Sequence, residues 1–184
     1  MVLSNGIPPG KSLGSHSDRP CAFRNKTDEY FADGLERFGS RYDVLRGPEL
    51  ELRYYKLVEK YGKAFDLSPV VCREVDGIDV EAYRTKGHPF FVLFYAMQRD
   101  AIGGPVYVLT ELHGQISRPD ALFKLENSIG LSLVHAKLGG IDHVCFTDDL
   151  RFLIVRDQND IIAGYGRAAA WLKAFRKSYP EFVV

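Results

Sequence analysis

Apolar and polar positions change period several times along the chain, and each change predicts an element. Residues 1–27 show no hydrophobic period and are rich in Gly, Pro and Ser, which predicts an irregular arm. From Asp28 to Phe65 the spacing is helical. In GPELELRYYKLVEKYG, Pro48 suits a first turn, Leu50, Tyr54, Leu57 and Val58 form an apolar stripe, and Gly62 is a stop signal. After Pro69 the period shortens: VVCREVDGIDVEAYR holds two β-type runs around Asp76-Gly77, a hairpin signature. FFVLFYAMQ, after Pro89, reads as a third strand. Gly103, Gly104 and Pro105 then mark a break, expected to separate an N-terminal helix and β-strand extension (28–103) from a C-terminal unit (104–184).

Beyond the break the pattern predicts a strand (106–112), a helix (119–137), a strand (142–156) interrupted near Thr147-Asp148-Asp149, a strand (161–163), a helix (167–177) and a closing FVV strand. This order implies an α+β or α/β fold. The short polar turn Asp157-Gln158-Asn159-Asp160 lets LIVR and IIAG pair as a hairpin whose second strand runs straight into the helix.

That junction, IIAGYGRAAAWLKAF, carries the clearest chemistry. Gly164 and Gly166 omit side chains where strand becomes helix, so backbone N–H groups can approach an anion at the positive end of the helix dipole. Arg167 adds a permanently charged planar fork that fits phosphate. Ala168, Ala169 and Ala170 allow close packing on the sheet, and Trp171, Leu172 and Phe175 supply a core-facing stripe. The alternative is a tight turn with Arg167 simply solvated.

Charge and cysteine content narrow the classes. Twenty-four basic and 24 acidic residues cancel, so any nucleic-acid contact must come from a local patch. Cys21, Cys72 and Cys145 are odd in number and lack CxxC spacing, which suits a reduced, cytoplasmic protein with neither a disulfide framework nor a zinc site. No signal peptide or bilayer-length apolar run is visible, so no membrane insertion is expected.

The segment LIVRDQNDIIAGYGRAAAWLKAF resembles the ParB/sulfiredoxin superfamily, in which a hairpin ends in a Gly-x-x-Arg-type box that opens a helix. ISRPDALFKLENSIGLSLVHAKLGGID and YPEFVV are similar to the flanking parts of that fold, so the resemblance covers roughly residues 104–184 and is most specific over 153–170. It implies a mixed sheet with helices, with Gly164, Tyr165, Gly166, Arg167 and Ala168 around nucleotide phosphates. Tyr165 stands where the sulfinic acid reductase carries its reactive cysteine, which removes that chemistry. No helix-turn-helix follows the box, which weakens a partition role.

The architecture resembles the plasmid fertility inhibition factors, or oncogenic suppression proteins, which block conjugative or T-DNA transfer. This resemblance implies ATPase and metal-dependent DNase activity, with ATP or another nucleoside triphosphate, Mg or another divalent cation, DNA read without strong sequence preference, and a type IV secretion coupling component as partner. A non-catalytic inhibitor that binds nucleotide or protein through the same surface remains open.

Hydrolysis needs a carboxylate, usually with a divalent ion. Glu111, Glu126, Asp157 and Asp160 are candidates alongside Arg167, with His113 and His135 as weaker candidate bases. Arg156, Lys173 and Arg176 are candidate DNA contacts. Three apparent motifs fail. In GIPPGKS the glycines stand one residue too close for a phosphate loop, Glu81 and Lys86 are too far apart for a restriction-type nuclease motif, and the chain after His143 leaves little room for the remaining ligands of a glyoxalase-type module.

Overall fold

In a computed structural model, residues 23, 26–65, 75–86, 90–110, 119–132, 143–156 and 160–184 are described. They form helices α1 (Lys26–Arg37), α2 (Gly47–Phe65), α3 (Phe90–Asp100) and α4 (Arg167–Ser178), and a short helical turn at 129–132. The strands are β1 (Tyr42–Leu45), β2 (Val80–Arg84), β3 (Val106–Thr110), β4 (Leu122–Leu125), β5 (His143–Phe146), β6 (Phe152–Arg156) and β7 (Ile161–Gly166). The strands make one sheet in the order β1-β4-β3-β5-β6-β7-β2. The α+β class holds, but the sheet is not mixed: every described pairing is antiparallel.

Strand alternation sorts the core into two layers. Val106, Val108, Phe123, Cys145, Ile154 and Ile162 point to one face, where they meet Phe31 and Leu35 of α1, Leu93 and Met97 of α3, and Leu172 and Phe175 of α4. Tyr107, Leu109, Val144, Leu153, Val155 and Tyr165 point to the other, under Leu50, Leu57 and Tyr61 of α2. The sheet is thus covered on both faces, and residues 28–103 supply both its edge strands, β1 and β2. Among the described residues no helix is long and apolar enough to cross a membrane.

The expected hairpin turn is present: Ile78 N–H bonds to the Val75 carbonyl at 2.9 Å around Gly77, whose φ of 75° glycine adopts without penalty. The arm before Val75 lies outside the described residues. The LIVR/IIAG hairpin also forms, with Phe152 opposite Gly166 and Arg156 opposite Ile162.

Four expectations are corrected. FFVLFYAMQ is helix α3, because Leu93, Phe94, Ala96 and Met97 are buried at helical spacing while Tyr95 and Arg99 face out. The segment 119–137 starts as strand β4, held between β1 and β3, with only 129–132 helical among its described residues. The helical stretch 28–65 is broken by β1, and α2 runs through Gly62 to Phe65. The closing FVV makes a 3-10 turn at Pro180–Phe182 and a single bridge between Val183 and Thr85.

Candidate functional site

At the β7–α4 junction the two glycines do different work. Gly164 faces α4, and a Cβ there would stand 2.7 Å from Leu172 Cδ1 and 2.8 Å from the Ala168 carbonyl oxygen. Ala168 and Ala169 are buried in this contact and Ala170 is exposed. Gly166 has φ 62°, and a Cβ on it would stand 2.8 Å from the carbonyl oxygen of Arg151. Tyr165 points the opposite way, 1% exposed, with its ring 6.0 Å from that of Tyr61. It is a core residue and not a surface for nucleotide.

The expected cradle of backbone donors is also altered. Gly166 N–H donates to the Asp79 carbonyl and Arg167 N–H to the Arg151 carbonyl, both at 2.9 Å. These two donors are spent on the protein and are not offered to an anion. Arg167 is exposed and reaches the Ala101 carbonyl at 3.4 Å, and Arg151 is exposed beside it.

The β5–β6 turn completes the surroundings. Leu150, at φ 51°, directs its carbonyl to Lys60 Nζ and, at 2.7 Å, to the Tyr61 hydroxyl. The Asp149 carboxylate accepts from the Thr147 hydroxyl at 2.6 Å and from Arg151 N–H at 3.0 Å. The Thr147 hydrogen bond chiefly holds this carboxyl below the usual range; partial burial opposes it, while the Arg151 N–H and the charges of Arg151 and Arg167 assist. Lys60, Asp149 and Arg151 are absent from the sequence-derived candidates. The signal was Thr-Asp-Asp-Leu-Arg, an Asx-turn composition that places Asp149 two residues before the N–H it accepts.

The remaining candidates are dispersed. Glu126 is exposed at the end of β4, in a groove with Arg41, Asp43 and Lys124, four strand spacings or about 19 Å from β7. Asp160 lies at the opposite end of β7 from Arg167, where its carboxylate accepts from Arg156 at 3.2 Å. Arg156 is 2% exposed and is therefore not a DNA contact. It belongs to a buried polar row with its cross-strand neighbour His143, then Thr110, whose hydroxyl donates to Asp28. Lys173 and Arg176 are exposed on α4 with Lys177, and Arg176 pairs with Glu81 at 3.5 Å. Glu111, His113, His135, Asp157, Cys21 and Cys72 lie outside the described residues, as do residues 1–22.

Among the described residues no three His, Cys, Asp or Glu side chains converge as a metal site. Asp149 beside two arginines fits a divalent ion only as one carried on substrate phosphates, the usual manner for Mg. Compared with family models, curated proteins and solved structures, this chain matches none of them.

Proposed function

We propose that the protein binds the phosphates of a nucleotide at the β7–α4 junction through the side chains of Arg151 and Arg167. On the resemblance of residues 153–170, it then acts as a nucleotide-dependent hydrolase on plasmid DNA, without sequence preference, and inhibits conjugative or T-DNA transfer. One observation carries the reading: the Arg167 N–H to Arg151 carbonyl bond joins the backbones of two exposed arginines at the start of a helix with no acid in its first turn, and the charges of both act on Asp149. Two guanidinium forks and the positive end of a helix dipole favour a dianionic group. ATP with Mg is the expected ligand, and the ion adds charge neutralisation at the phosphates.

The dispersal of Glu126 and Asp160 favours a second reading, binding without hydrolysis, because Asp149, the carboxylate on which the Arg167 charge acts, is already engaged. Calorimetry with Mg-ATP separates the phosphate site from no site. Arg151→Ala and Arg167→Ala are each expected to weaken binding about tenfold, the order of a charge-assisted contact. Unchanged affinity in both folded variants defeats the proposal. Phosphate release and nicking of plasmid DNA over a salt series then separate hydrolase from binder.

A further inference from the structure

A pair of arginines can hold the phosphates of a nucleotide, but its base needs a second surface. Tyr165, the aromatic residue of the glycine box, is enclosed in the core and offers no ring to a ligand. Trp171 is better placed. It follows Arg167 by four residues on α4, so it lies on the same side of the helix and about 6 Å further along the axis. It is the one tryptophan of the chain, and it is only partly buried, whereas Leu172 and Phe175 of the same helix are enclosed.

The indole is braced from within. Its ring stands 6.1 Å from that of Phe152 and 5.4 Å from that of Phe175, and both of these are buried. Phe152 comes directly after Arg151 and sits opposite Gly166 in the β6–β7 ladder. The strand that carries one arginine therefore runs beside the indole, and the helical turn that carries the other adjoins it. A ring already held by two others loses little freedom when a ligand is laid on it, which favours stacking. We propose that Trp171 is the base platform of the nucleotide site: the base stacks on the exposed part of the indole while the phosphates meet Arg151 and Arg167. The platform rests on the phosphate site proposed above and extends it to the rest of the ligand. Stacking uses the π-face that every base has, so the site accepts all four common nucleoside triphosphates, with purines modestly favoured by their larger ring area.

The test reads the single indole directly. Mg-ATP and Mg-tripolyphosphate are each titrated into the whole chain and followed by tryptophan emission and calorimetry. Tripolyphosphate has the phosphates and the higher charge but no base, so tighter binding of ATP must come from the nucleoside. ATP is expected to bind about tenfold more tightly and to quench the emission, while tripolyphosphate binds with little spectral change. Trp171→Leu should lower the affinity for ATP to that for tripolyphosphate and leave the latter unaltered; Trp171→Phe should keep part of the advantage. Equal affinities in the unmodified protein, emission unmoved by saturating ATP, or equal weakening of both ligands by Trp171→Leu overturns the platform and leaves the phosphate site standing. Failure of both ligands to bind removes the phosphate site and the platform with it.

Discussion

Gly164 lies directly against Leu172 of α4, with no room for a methyl group between them: its Cβ would stand 2.7 Å from Leu172 Cδ1. The Ala168 carbonyl oxygen at 2.8 Å blocks relief by rotation of the leucine alone. Gly164→Ala should therefore lift α4 and destabilise the protein by about 1–3 kcal/mol, the usual scale of overpacking. Gly166→Ala meets the Arg151 carbonyl and needs φ 62°, so a loss of about 1–3 kcal/mol is expected there as well. Denaturant titration checks both, with unchanged midpoints contradicting the close approach.

Arg156→Ala should act on stability and not on DNA affinity. The guanidinium is 2% exposed and its partner Asp160 is 36% exposed, so losing the pair is expected to cost about 2–4 kcal/mol, somewhat below a fully buried pair. Thermal melts read this directly. A folded variant of normal stability with weakened DNA binding would place Arg156 at the surface instead.

Alkaline stability should depend on Tyr61. Burial, aided by the negative charge of Asp149, pushes its hydroxyl up to about 12 from 10.0. The unfolded chain releases this proton first, so the contribution is complete below pH 10 and is lost as pH rises through 12. Tyr61→Phe should flatten the fall in unfolding free energy across this window. It should also cost about 1–2 kcal/mol at neutral pH, through the lost bond to the Leu150 carbonyl. Chemical denaturation at a series of pH values measures both effects.

Cys145 is fully buried on β5, and burial drives its thiol well above the ordinary range. With Cys21→Ser and Cys72→Ser in place, the remaining thiol should react with Ellman's reagent only under denaturing conditions, since a protonated, enclosed thiol is a poor nucleophile. Nucleotide binding by that variant should match the parent, and its loss would mean a cysteine serves the site.

The β6–β7–α4 unit was legible because its signals are local: alternation in LIVR and IIAG, glycines at the junction, and a helical stripe after Arg167. FFVLFYAMQ was not, since an apolar run of that length suits a buried strand or helix equally, and only the exposure of Tyr95 and Arg99 decides. LFKL in β4 is too short to show a period and takes its form from β1 and β3 on either side. At the site, Arg167 was visible from its neighbours in sequence. Asp149 and Arg151 carried only the local Asx-turn signal of Thr-Asp-Asp-Leu-Arg, which does not say that the turn meets Arg167, and Lys60 reaches it from α2 through packing that no sequence spacing encodes.

The two outer strands, β1 and β2, come from the part of the chain made first, while the strands they flank, apart from β3 and β4, begin at His143 or later. During synthesis, β2 must therefore wait for its ladder to β7 until β7 leaves the ribosome, and it pairs across a long span of sequence. Such late closure favours slow folding and an interval of exposure in which holdase chaperones have a target. A fragment limited to residues 104–184 meets the mirror-image problem, with β4 and β7 each left as a bare flank, so truncation at the Gly103-Gly104 break should give material that self-associates, not a smaller native protein.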